Sequence, residues 1–305
     1  MTVGRGPAPG PPRGPEPAPA PPPAVSVMMP AFRAEAHIKA AVASVLAQTL
    51  VNWELIIVDD GSPVPVAQTL GDLGDARIRI VSHPSNRGLP AARNTALAAA
   101  RAPLIAHLDA DDEWAPEYLE AMTACFDDPR VGLAYPNIET FGLVGSEGPY
   151  ITDPERHPVD RVRDLARANP IPVITTVRTE AVRAVGGYAT FLWGAVDYYL
   201  YLNLAAAGWR FAYVDRVLGR YRWTPEAMSS DWERVQRDNL RLLWSFTWRH
   251  PLVAGPRQRT AWLALRTVAV AVPGVRRAKR PTRPARPMSP GAHDRAGRCP
   301  TIRNR

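Results

Sequence analysis

Residues 103–112 read Pro-Leu-Ile-Ala-His-Leu-Asp-Ala-Asp-Asp, an apolar run that closes on three acids within four positions. The run predicts a short buried strand at 104–108. Gathering Asp109, Asp111 and Asp112 at its end is costly, because like charges repel and raise one another's pKa. A divalent cation relieves that repulsion. Mg²⁺ and Mn²⁺ favour carboxylate oxygens and take substrate phosphates on their remaining positions. Ligands of open α/β sheets gather at strand carboxyl ends, so the location suits. The same triplet also reads as a strand-to-helix turn, with Asp111 or Asp112 capping a helix that starts near Pro116.

Working outward, strands are predicted at 25–29, 54–58 and 77–81 before the 104–108 strand, with helices at 35–48, 64–73 and 90–101 between them. Strands apolar throughout and separated by helices mean a parallel sheet covered on both faces. Beyond Asp112 the pattern predicts a helix at 116–126, a strand at 131–135 and an irregular stretch at 137–172. A strand at 173–177, helices at 180–185 and 195–207, a strand at 211–214 and an outer helix at 232–249 follow. The fold class is α/β, a single doubly wound, mostly parallel sheet with helices on both faces.

The 305 residues hold 33 prolines, ten of them within residues 7–23. Residues 1–24 therefore read as a solvated, disordered tail with no apolar leader, so a cytoplasmic location is expected. Residues 251–305 hold 13 Lys/Arg and one acid, a net of +12, whereas residues 1–250 have a net of −4. Such a basic tail suits an anionic membrane surface at the inner face, or is a solvated segment of biased composition. It has no aromatic residue after Trp262 to stack on bases, which argues against single-stranded nucleic acid as a partner. Cys125 and Cys299 offer neither a disulfide framework nor metal spacing. The apolar stretch 261–272 is too short to span a bilayer and is broken by Arg266.

The domain reading is a tail at 1–24, a catalytic unit at 25–230 with halves 25–112 and 113–230, a helical extension at 231–272 and a basic disordered tail at 273–305. The first strand-to-helix turn, Pro30 to Glu35, has no glycine, so the G-x-G-x-x-G dinucleotide fingerprint is absent. A phosphate loop and a G-x-S-x-G nucleophile elbow are absent too.

The ordered set VSVMMPAFRAE, WELIIVDDGS, NRGLPAARN, HLDADD and GGY…VDYYLYLNLAAAGW resembles inverting, nucleotide-sugar-dependent glycosyltransferases of the GT-A fold, glycosyltransferase family two. The resemblance covers residues 25–223. It implies that Pro30, Ala31 and Phe32 line a nucleotide base pocket with Glu35 nearby, and that Asp60 hydrogen-bonds the base. Asn86, Arg87, Gly88 and Arg93 would sit by the donor. Asp109, Ala110 and Asp111 would form a DXD motif, with Asp111 on the metal, Mn²⁺ or Mg²⁺, and Asp109 on metal or ribose. Asp197 falls where the family places its general base. The implied reaction moves one sugar from a nucleotide diphosphate sugar to a hydroxyl of a glycan, glycolipid or small molecule, as in cell-surface polysaccharide synthesis.

Around Asp197 the chain departs from the common pattern, with Val196 for Glu, Tyr199 for Asp, Asn203 for Arg and Trp223 for His or Arg. The Gln-x-x-Arg-Trp signature of processive synthases is absent. Three other readings stay open: transfer to a polyprenyl phosphate, a non-catalytic nucleotide-sugar-binding protein, and nucleic-acid binding through the tail. Asp59 and Asp60 also read as a turn that caps the next helix, and Asp197 as a helix N-terminal acid.

Overall fold

The computed structural model describes residues 21–142, 147–224 and 228–251. Most of the proline-rich opening, the stretch 261–272, the tail from 273 and Cys299 lie outside the described residues.

The chain runs through β1 (Val25–Ala31), α1 (Ile38–Leu46), β2 (Trp53–Asp59), α2 (Val66–Leu70), β3 (Ile78–Ser82) and α3 (Leu89–Ala99). It continues through β4 (Leu104–His107), β5 (Glu113–Trp114), α4 (Tyr118–Thr123), β6 (Val131–Phe141), β7 (Gly148–Pro149) and α5 (Val162–Leu165). β8 (Thr176–Arg178), α6 (Thr179–Ala184), α7 (Val196–Ala206), β9 (Arg210–Arg222) and α8 (Trp232–Arg249) complete it. One sheet, ordered β3-β2-β1-β4-β8-β6-β9-β5 with β7 on β6, joins the strands.

Successive strand residues face opposite sides, so a strand apolar at every position needs cover on both. Val25, Val27 and Met29 of β1 and Leu55 and Ile57 of β2 enter one core, with Ile38, Val42 and Val45 of α1 and Leu119 of α4. Met28, Ile56 and Val58 enter the other, with Ala92 of α3, Val182 of α6, Leu200 of α7 and Leu242 and Phe246 of α8. Each buried Val, Leu, Ile, Met or Phe side chain among them contributes ~1.5–3 kcal/mol by leaving water.

The parallel character belongs to the first half, where β3, β2, β1 and β4 all run together. The second half is mixed: β8 lies antiparallel between β4 and β6, and β9 pairs parallel with β6 but antiparallel with β5. The irregular stretch expected from residue 137 instead begins with strand, because β6 continues to Phe141. β9 extends to Arg222, so the two long strands pair as far as Phe141 and Arg222. β8 starts at Thr176, three residues later than the apolar run suggested. α2 stops at Leu70, where Gly71 takes φ +66°. No helix among the described residues is long and apolar enough to cross a membrane.

Candidate active site

The carboxyl ends of β1, β2 and β4 meet along one edge of the parallel half. At β1, Ala31 is buried and its carbonyl accepts from the Asp60 N–H at 2.8 Å. Phe32 follows, 42% exposed. Arg33 holds its guanidinium 5.2 Å from the Phe32 ring centroid, and its N–H donates to the Ser62 hydroxyl at 3.2 Å. Arg33 takes φ +54°, a left-handed backbone unusual for a side chain with a Cβ. Pro30 is the last residue but one of β1, opposite Val58, and Glu35 stands exposed beyond the turn.

The two acids after β2 divide their work. Asp59 accepts from the N–H groups of Ser62 at 2.9 Å and Val66 at 3.0 Å, capping α2. Asp60, assigned to a nucleotide base by resemblance, is turned inward and buried. It accepts from His83 Nδ1 at 2.6 Å and from the N–H groups of Arg87 at 3.0 Å and Gly88 at 2.8 Å. With both oxygens engaged by the protein, Asp60 fixes the loop that leads into α3. Gly61 completes that turn at φ +72°, and a Cβ there would meet the Ser85 backbone at 2.5 Å. Asn86 and Arg87 lie exposed on the loop.

Arg93, on α3, is fully buried. Its Nη2 donates to Asp109 Oδ1 at 3.1 Å and its Nη1 donates to Asp197 Oδ1. One guanidinium thus joins the end of β4 to the first turn of α7. Burial by itself would lower the Arg93 pKa, and Asp197 and then Asp109 outweigh it, keeping the group protonated. Burial raises the Asp197 carboxyl above its ordinary value, Arg93 opposes that rise and Asp109 adds to it. Beneath them His107 bonds Tyr188 Oη at 2.5 Å and Thr175 Oγ1 at 2.9 Å. Burial, then the Arg93 charge, presses the His107 pKa down to about 3, so the ring stays neutral.

Ala110, between Asp109 and Asp111, is buried. Asp112 is buried and accepts from the Arg222 N–H at 2.9 Å, while its Oδ2 has no partner. Burial, then Asp111 and Asp109, hold its carboxyl well above the ordinary range. Burial, then Asp109, pushes Asp111 up to about 6. Arg222 gives its Nε–H to the Asp111 carbonyl, and among the described residues Asp111 forms no ion pair. Among the described residues no three His, Cys, Asp or Glu side chains converge as a complete metal cage. The donor set nevertheless fits a hard cation of the Mg²⁺ or Mn²⁺ kind. Asp111 offers a carboxylate with no ion pair of its own among the described residues, and Asp109 keeps one oxygen beyond the one Arg93 holds; such ions complete their shells with phosphate and water.

Two contributors were missing from the sequence reading. Arg222 braces the triplet from β9. Asp238, on α8, lies buried against the loop before α7. The second had a signal, since it falls four residues before Leu242 and eight before Phe246, on the apolar stripe of its helix.

Residues 26–185 match the family model described as glycosyl transferase family 2. The chain belongs to that family. UDP-Glc:alpha-D-GlcNAc-diphosphoundecaprenol beta-1,3-glucosyltransferase WfgD of Escherichia coli is 37% identical over 115 residues, 38% of this chain and 46% of that protein. The chain spans less than half the length of WfgD and of several other curated relatives it matches. The crystal structure of a TarS fragment from S. aureus in complex with UDP-GlcNAc superposes with a TM-score of 0.61 at 17% identity, covering 75% of this chain and 67% of that one. The mannosyltransferase PcManGT from Pyrobaculum calidifontis, in complex with GDP-Man and Mn²⁺, superposes with a TM-score of 0.57 at 20% identity, covering 84% and 77%. At these identities the structural likeness shows a shared fold, and the architecture of this family 2 member is GT-A.

Proposed function

We propose that this family 2 member is a metal-dependent, inverting glycosyltransferase that moves a single sugar from a nucleoside diphosphate sugar to a hydroxyl acceptor in cell-surface glycan assembly. The observation that carries the reading is Arg93, which ties Asp109 on the donor side to Asp197 on the acceptor side. In the reaction, the bond from the anomeric carbon to the diphosphate oxygen breaks as the acceptor oxygen bonds to the opposite face. The acceptor proton passes to Asp197, whose raised pKa suits a general base. Arg93 orients that carboxylate and supplies positive charge close to the departing diphosphate. Phe32 and Arg33 offer a ring and a cation to the nucleotide base. Asp111 and Asp109 would hold Mn²⁺ or Mg²⁺, which supplies Lewis-acid stabilisation of the leaving diphosphate when bound. The names of WfgD, TarS and PcManGT complexes support a UDP- or GDP-sugar donor.

The test is a panel of nucleotide sugars offered to the purified protein with Mn²⁺. The true donor should raise the melting temperature by mass action. Transfer to its acceptor should invert the anomeric configuration and cease in excess EDTA. Full activity in EDTA would remove the metal from the reading, a retained anomer would remove the single displacement, and no stabilising nucleotide sugar would remove the donor.

A further inference from the structure

Helix α8 reaches the loop that leads into α7, the helix whose first turn carries the proposed base, and all three lie beyond the residues 26–185 that match the family model. Asp238 is 1% exposed on the buried side of this helix. Its Oδ2 accepts two backbone N–H groups, from Trp193 at 2.6 Å and Gly194 at 2.8 Å. Arg241 stands 3.6 Å from its other oxygen. The loop meets α8 again where the Arg234 guanidinium lies 3.8 Å from the Trp193 ring centroid. Asp197 stands in the first turn of α7, three residues beyond Gly194.

A carboxylate out of water is costly unless its oxygens are bonded. Here that cost is met with peptide N–H groups of a loop, which otherwise has no regular hydrogen-bond ladder to fix it. The two bonds therefore pin the backbone from which α7 starts. We infer that Asp238 is a positioning residue for acceptor chemistry: through Trp193 and Gly194 it sets where Asp197 stands, so that α8 is a working wall of the acceptor side. This rests on the proposed role of Asp197. The loop also presents Phe191, 49% exposed, close to that carboxylate in the chain. A wall of this kind would shape an acceptor's access without touching the donor.

The experiment compares D238A and D238N with the parent in the full chain. Hydrogen–deuterium exchange over residues 192–199, which needs no activity, should accelerate in D238A and much less in D238N, whose amide oxygen still accepts both N–H groups. Donor affinity should stay at the parental value in both. With D238A, kcat for transfer should fall about 10²-fold, the scale of a misplacement of about 1 Å, and D238N should recover most of it. Should D238A fail to fold, R234A, which removes the second contact between α8 and the loop, carries the test: it should speed exchange over residues 192–199 and shift acceptor KM or kcat with donor affinity unchanged. A lower melting temperature with parental exchange, kcat and KM would overturn the inference, because it reduces Asp238 to a structural contact. If the parent transfers no sugar, the proposed function has failed while the exchange result still judges the pinning of the loop. If D197N keeps parental turnover, the assigned base has failed independently.

Discussion

Arg93 donates to Asp109 and Asp197 from full burial, so the charge on either carboxylate cannot be altered without exposing an imbalance in the pair. Asp197→Asn keeps shape but cannot take a proton. Transfer should fall by ~10²–10⁴-fold, the contribution of a positioned general base, while donor affinity by calorimetry stays near parental. The same variant should lower the urea midpoint, because Arg93 then keeps one anionic partner where it had two. Near-parental turnover in folded protein would sink the base and favour an acceptor oxygen already ionised, as in a polyprenyl phosphate. At this scale the sequence was partly legible. Asp109 and Asp111 stood out because acids crowd the end of an apolar run, and Asp197 came through resemblance. Its pairing with Arg93 did not, since 104 residues separate them and no local pattern marks a contact made only by folding. Asp60 illustrates the converse, with a motif position visible in sequence and a carboxylate spent on His83 and the loop before α3.

Elements that hold themselves together locally were readable, and those that depend on distant partners were not. α3 and α7 fell close to the predicted spans because helical spacing is a local signal. β6 and β9 were each expected to end early, as polar residues, Pro136 and Gly219 interrupt their outer halves, which stay extended by pairing with one another. The middle of β6 also gathers a buried network that predicts a pH dependence. Tyr135 Oη accepts from the Val159 N–H at 3.0 Å and donates to His157 Nδ1 at 2.7 Å. Burial lowers the His157 pKa below its ordinary 6.5. Between its folded value and 6.5 the unfolded chain therefore binds the proton and the fold does not. Its stabilising share is complete above 6.5 and is lost as the pH falls toward the folded value. Urea midpoints at about pH 7.5 and about pH 5.5 should fall more steeply for the parent than for His157→Asn, which offers a non-titrating acceptor. Equal slopes would show that another group sets the acid sensitivity.

Across the whole molecule the charge is divided, with residues 251–305 at +12 and the remainder at −4. Removing residues 276–305 should leave donor turnover on a soluble acceptor intact. Binding to vesicles rich in phosphatidylglycerol should weaken, most at low salt where screening is slight. Loss of donor turnover on truncation would make the tail part of the catalytic body. The doubly wound half was legible because its inner strands β1, β2 and β4 are buried on both faces and β3, at the edge, still alternates with helices. The reversed β8 was not, because a strand's direction leaves no trace in its own composition and is set by which neighbours it finds.

The left-handed backbone at Arg33 sets two selection pressures against each other. A non-glycine residue there costs roughly 1–2 kcal/mol, so a heat-challenge library would drift toward Gly. That drift would delete the guanidinium held over Phe32. Variants ranked by heat tolerance and variants ranked by donor discrimination would then diverge at this one codon, and a thermostable descendant of this protein would be expected to have grown less particular about its nucleotide.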